Sequence, residues 1–131
     1  MNEITKEWID KAEGDYKVAV RELKDDDPVY DAILYHLQQC VEKYLKALFQ
    51  EHQIELEKVH DLTYLAEKVK PHVNLTNHYD ELTELSEWAV KARYPGAKST
   101  HKEAQTSLRT CEKVRSIIRT SLGLPDETPD V

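Results

Sequence analysis

The residues best placed to do chemistry lie at one reversal of the chain, where Arg93-Tyr94-Pro95-Gly96 is followed by Thr100-His101-Lys102-Glu103. Proline pushes the residue before it out of the α region and glycine favours a turn, so a helix carrying Arg93 must end there. The Thr-x-x-Glu spacing is that of a capping box, in which the hydroxyl and the carboxylate each satisfy a free amide; it opens the next helix and puts His101 in its first turn. A helix N-terminus offers unpaired amides and a partial positive charge, and arginine adds a planar, permanently charged fork suited to phosphate. Arg93, Tyr94 and the start of the last helix can therefore receive an anion or a nucleotide. A plainer reading of the same residues has Arg93 paired with a neighbouring acid and Tyr94 packed on Pro95 to hold the turn.

Other candidates carry less. The chain has no Gly-rich phosphate loop, no GxSxG elbow, no HExxH and no dinucleotide fingerprint. Acid clusters such as Asp25 to Asp27, or Glu84 with Glu87, read as solvated helix faces in a chain with 25 acids. A di-iron bundle needs Glu-x-x-His on two helices; Glu57-Lys58-Val59-His60 occurs once and falls in a connection, so no metal and no cofactor are expected. His36, His52, His72 and His78 read as surface histidines, and Trp8, Trp88 and the tyrosines as core and interface aromatics. Cys40 and Cys111 fall on apolar stripes as small buried hydrophobes, with no CxxC pairing to suggest zinc or a disulfide framework.

The elements that must position these residues follow from hydrophobic spacing. Trp8, Ala12, Tyr16, Ala19 and Leu23 share one face of a first helix. Asp27-Pro28 is a start signal for a second, which runs to about Gln50 with Ile33, Leu37, Val41, Tyr44, Leu45 and Leu48 inward and Glu42, Lys43 and Lys46 toward the other side. Residues 51–59 read as a connection. His60-Asp61 opens a short helix with Leu62, Leu65, Ala66 and Val69 inward, stopped by Pro71. Thr76 or Asn77 caps a third long helix carrying Tyr79, Leu82, Leu85, Ser86 and Ala89 and ending near Arg93. Ala104, Leu108, Cys111, Arg115, Ile118 and Leu122 trace the inner stripe of the last helix, so Arg115 is an inward-facing charge. Gly123 and Pro125 stop it.

These elements predict an all-α fold, an antiparallel up-and-down four-helix bundle with a short additional helix, over residues 1–124 and a flexible tail over 125–131. Periodicity assigns the faces and leaves handedness and pairing open. At 131 residues the chain suits one domain. A net charge of −7 argues against broad electrostatic capture of DNA or RNA. The opening MNEITKEWID lacks the organisation of a signal peptide, and no apolar run is long enough to span a bilayer, so a cytoplasmic protein without membrane contact is expected.

Trp8 with Ala12, Asp15 and Ala19, the block HLQQCVEKYLKAL from His36 to Leu48, His60-Asp61-Leu62, and Ala92-Arg93-Tyr94-Pro95-Gly96 occur in this order. Together they resemble the HEPN domains (higher eukaryotes and prokaryotes nucleotide-binding) of stand-alone prokaryotic type, over roughly residues 6 to 123. The resemblance implies a left-handed bundle, usually dimeric, that binds a nucleotide or other phosphate-bearing ligand and acts with a nucleotidyltransferase partner, often as a toxin and antitoxin pair. Within the matching blocks Gln39, Lys43 and His60 become candidates to line the ligand site beside Arg93 and Tyr94.

Other branches of that family are metal-independent ribonucleases that act on RNA through Arg, four to six residues, then His at the dimer interface. The imidazole moves a proton and the guanidinium stabilises phosphate. Here Arg93 and His101 enclose seven residues, including Pro95-Gly96. The reading is thus a nucleotide-binding or accessory homodimer, with a ribonuclease using Arg93 and His101 as its alternative and an interaction subunit without a ligand as a second.

Overall fold

Two alanines lie on the inner stripe of the first helix, where it makes the most extensive helix contact among the described residues. In this computed structural model, which describes residues 1–127, α1 spans Glu3–Leu23 and α2 spans Tyr30–Glu51. Ala12 and Ala19 are 0% and 1% exposed and flank a fully buried Tyr16, so the small side chains let α1 lie close along α2. Asn2 caps α1 by accepting from the Thr5 amide at 2.8 Å, and the Thr5 hydroxyl donates to Glu51 at 3.1 Å, clasping the start of α1 to the end of α2. A short α3, Leu62–Lys68, is capped by Asp61. A single 3-10 turn, Thr76–His78, leads into α4, Tyr79–Lys91, and α5 runs His101–Ser121. The chain is therefore an all-α helical bundle with a short additional helix.

Side-chain pairs supply the register that periodicity left open. Tyr16 donates to Glu112 and Arg115 to Glu13, so α1 and α5 run antiparallel. Lys113 meets Glu81 at 3.1 Å, which sets α4 antiparallel to α5. Tyr30 packs on His101 and the Tyr44 hydroxyl accepts from Arg119, so α2 and α5 point the same way. This is the up-down-up-down arrangement, with α2 and α5 as the parallel pair in contact. Cys40 of α2 and Cys111 of α5, both fully buried and reduced, meet across that seam.

The expectation that Glu42 and Lys46 face away from the core is corrected: Glu42 is 4% exposed and Lys46 9%. The connection carrying His60, together with Trp8 of α1, covers that side of α2, and the two charges survive burial by pairing with each other at 3.0 Å. Arg115 is buried as well, bound through two nitrogens to Glu13 at 2.7 Å and stacked over Tyr16 at 4.7 Å. Burial pushes the Glu13 carboxyl up, but the hydrogen bonds from Arg115 and Tyr44 outweigh it and hold the group below its ordinary range.

Three start signals resolve differently from the sequence expectation. Asp27-Pro28 does not cap α2; Val29 precedes it, and its amide donates instead to Glu22 at 2.9 Å. Thr76 and Asn77 lie within the 3-10 turn, where the Asn74 side chain accepts from the Thr76 amide at 3.0 Å. Thr100 does stand at the N-cap of α5, yet its hydroxyl donates to the Glu103 carboxylate and accepts from no helix amide. Gly123, at φ +73, ends the last helix in the left-handed conformation that glycine adopts freely. Beyond it the Pro125 and Glu127 carbonyls accept from Arg119 and Arg115; residues 128–131 of the expected flexible tail lie outside the described residues.

Candidate functional site

Residues 35, 38 and 39 fall within about one turn of α2 and so share a face of it. Against that face lie the start of α3 and the last turns of α4, and between them opens a cleft of about 540 Å³ lined by Tyr35, Gln38, Gln39, His60, Asp61, Ser86, Ala89, Val90 and Arg93. Three residues singled out from sequence, Arg93, Gln39 and His60, meet here. The volume is within the range of small-ligand sites.

Arg93 lies just past α4, exposed, with its guanidinium carbon 5.5 Å from the centre of the Tyr35 ring. Among the described residues it forms no ion pair, which removes the plainer reading in which it is tied to a neighbouring acid. A cation over an aromatic face keeps its in-plane N–H donors free for a ligand.

The floor of the cleft is a hydrogen-bonded chain. Gln39 donates to Gln38 at 2.9 Å, and Gln38 donates to Glu42 and to the His60 carbonyl, each at 3.2 Å. Burial pushes the Glu42 carboxyl up, but hydrogen bonds from His60, Lys46 and Gln38 bring it below the ordinary carboxylate range. An ionised carboxylate only accepts, so His60 holds its hydrogen on Nδ1, 3.0 and 3.1 Å from the two Glu42 oxygens. That fixes the ring and leaves Nε2 as its outward-facing polar atom, on a side chain that is 75% exposed. In the opposite wall, the Ser86 hydroxyl is buried without a hydrogen-bond partner among the described residues.

The other expected site residues lie elsewhere. Lys43 shares the outer strip of α2 with Gln39 but reaches across to Asp15 of α1 at 2.6 Å, drawn by a carboxylate that His36 also engages at 2.8 Å. His36 is thus no free surface histidine. Tyr94 is 63% exposed in the turn and does not line the cleft. His101 packs edge-on against Tyr30, with ring centres 6.0 Å apart. Tyr30 and Tyr35 are five residues apart, roughly 140° around α2, so Arg93 and His101 of one chain sit against well-separated faces of that helix.

Sequence reasoning missed Tyr35, Glu42 and Ser86 as parts of the site. By spacing Ser86 belongs to the inner stripe of α4 and Glu42 to the polar side of α2; the docking of α4 on α2 brings Ser86 to the cleft, and Glu42 lies beneath it, holding Gln38 and His60. No group of three or more metal-binding side chains occurs among the described residues. What the cleft offers is a free guanidinium, an oriented imidazole and amide, and an aromatic ring, a set suited to a phosphate ester attached to a planar ring.

No helix of the described residues is long and apolar enough to cross a membrane. No curated protein and no solved structure matches the chain. The family model described as the HEPN domain matches residues 5–121, nearly the whole bundle and all of the cleft, and the chain belongs to the HEPN domain family.

Proposed function

We propose that this protein is a nucleotide-binding HEPN module whose cleft between α2, α3 and α4 holds a phosphate-bearing ligand against Arg93. The observation that carries the reading is the Arg93 guanidinium, poised over Tyr35 at the cleft and unpaired with any acid among the described residues of a chain with net charge −7. In such a chain an uncompensated arginine beside an aromatic wall is a place where an anion is more welcome than water. His60 and Gln39 supply the directional contacts. As an accessory module of this family the chain acts with a nucleotidyltransferase partner in a toxin and antitoxin arrangement and as a homodimer; membership of the family is the support for both.

Calorimetric titration with nucleotides tests the site. Arg93→Ala should weaken binding by about 1.5–3 kcal/mol, roughly 10- to 150-fold, the worth of a charge-assisted contact, while the melting curve stays unchanged because the side chain is exposed. His101→Ala should leave affinity intact, since that ring packs on Tyr30 outside the cleft. Loss of binding in His101→Ala together with chelator-resistant RNA cleavage by the wild type would favour the ribonuclease reading.

A further inference from the structure

The cleft does not stop at His60. A second cleft of about 420 Å³, lined by Trp8, Lys46, Leu56, Glu57, Lys58 and His60, adjoins it, and His60 is the one residue common to the two linings. Either volume alone falls within the range of a small-ligand site. His60 is largely exposed but anchored by Glu42, so it stands as a fixed post between them. The same carboxylate holds Lys46, whose ammonium lies 6.0 Å from the centre of the Trp8 ring. One buried anion therefore sets both the post and the aromatic wall beyond it.

The second cleft repeats the chemistry of the first. Tyr35 and Arg93 supply a ring and a free cation on one side of His60; Trp8 and Lys58 supply them on the other. Lys58 has no partner among the described residues, and the acid in that lining, Glu57, is engaged by the Tyr64 hydroxyl at 2.6 Å. Leu56 is 42% exposed, an apolar side chain left in water beside Trp8, where a planar base would cover it. We infer that the site takes two linked nucleotides, the first at Arg93 and Tyr35, the second with its base on Trp8 and Leu56, and the joining phosphodiester at His60. This rests on the nucleotide reading of the first cleft and names the class of its ligand.

The test compares 2′-deoxyadenosine 5′-monophosphate with the deoxy dinucleotide pdApdA, probes without the 2′-hydroxyl through which an RNA could be cut. The dinucleotide should bind about tenfold tighter, within the range that stacking one further base on an aromatic side chain supplies. Leu56→Asp should abolish that gain and leave the mononucleotide affinity unchanged; because Leu56 is exposed, it tests the groove without removing Trp8 from its packing. In a Trp88→Phe background the fluorescence of Trp8 should be quenched by pdApdA and not by the mononucleotide. Equal affinities for the two probes, or a Leu56→Asp variant that keeps the tenfold gain, would overturn the inference while leaving the mononucleotide site standing. Failure of both probes to bind would overturn the nucleotide reading and this inference with it.

Discussion

Arg115→Met removes the guanidinium that closes the seam between α1 and α5. The side chain is 3% exposed, donates twice to Glu13 at 2.7 Å, and covers the Tyr16 ring at 4.7 Å. Deleting one partner of a buried ion pair costs about 3–5 kcal/mol, because the other charge is stranded. Glu13 keeps the Tyr44 hydroxyl at 2.6 Å, Arg119 at 3.9 Å and a side chain 26% exposed, which places the cost near the lower end, about 3 kcal/mol. With an unfolding entropy of about 2.1 cal/mol/K per residue, a chain of this length should then lose roughly 10 °C in Tm. The double variant Glu13→Leu/Arg115→Met should recover more than half of that loss, since neither member of the buried pair is left without the other. Thermal melts of wild type, the two single variants and the double variant give the coupling directly. A single-variant shift below about 3 °C, or a double variant as damaged as the sum of the singles, would refute the argument that charge pairing holds this seam.

Three further outcomes are expected. Leu45→Asp, at a position 0% exposed on α2, should abolish the cooperative melt, because an unpaired carboxylate enters the core; an unchanged curve would contradict the packing of α2. Glu42 has its pKa lowered in the folded state, so the stability it contributes is present above the ordinary value of 4.5 and lost as pH falls through the folded value. Wild type should therefore exceed Glu42→Gln in Tm at neutral pH, with the gap closing below pH of about 4.5; a gap constant with pH would show that Glu42 is not the titrating group. Sedimentation at micromolar concentration should show a dimer, and a single 15.3 kDa species would remove the homodimer from the proposal.

The apolar stripes were legible because a helix declares its inner face by spacing alone: Ala12, Tyr16, Leu37, Leu45, Leu85 and Ile118 are all buried as their period requires. Arg93 was legible as well, since Pro95 and Gly96 end its helix and mark the end of the bundle where it must lie. Glu42 and Lys46 were not. Their burial comes from Trp8 and from the connection carrying His60, elements far from them in sequence, and a single helix cannot reveal that its polar side will be covered. Lys43 was misplaced for a related reason. It stands one turn from Gln39, yet the nearer carboxylate belongs to another helix, and a long flexible cation follows charge, not register. The helix starts failed locally: the Asp27-Pro28 signal is real chemistry, but the Val29 amide that follows it donates to Glu22 instead.

The meeting of Cys40 and Cys111 at the centre of the parallel pair gives the bundle a built-in clock. A thiol reacts as its thiolate and only where a reagent can reach it, and here access is nil while burial pushes the Cys40 thiol well up. Modification by a soluble disulfide reagent must therefore wait for α2 and α5 to part, so its rate in excess reagent reports how often the native core opens. Because α2 also forms the floor of the cleft proposed to bind nucleotide, a nucleotide that favours the closed bundle should slow that clock by the factor it adds to stability, making engagement of the proposed site measurable in the unmodified chain without any label on the site itself.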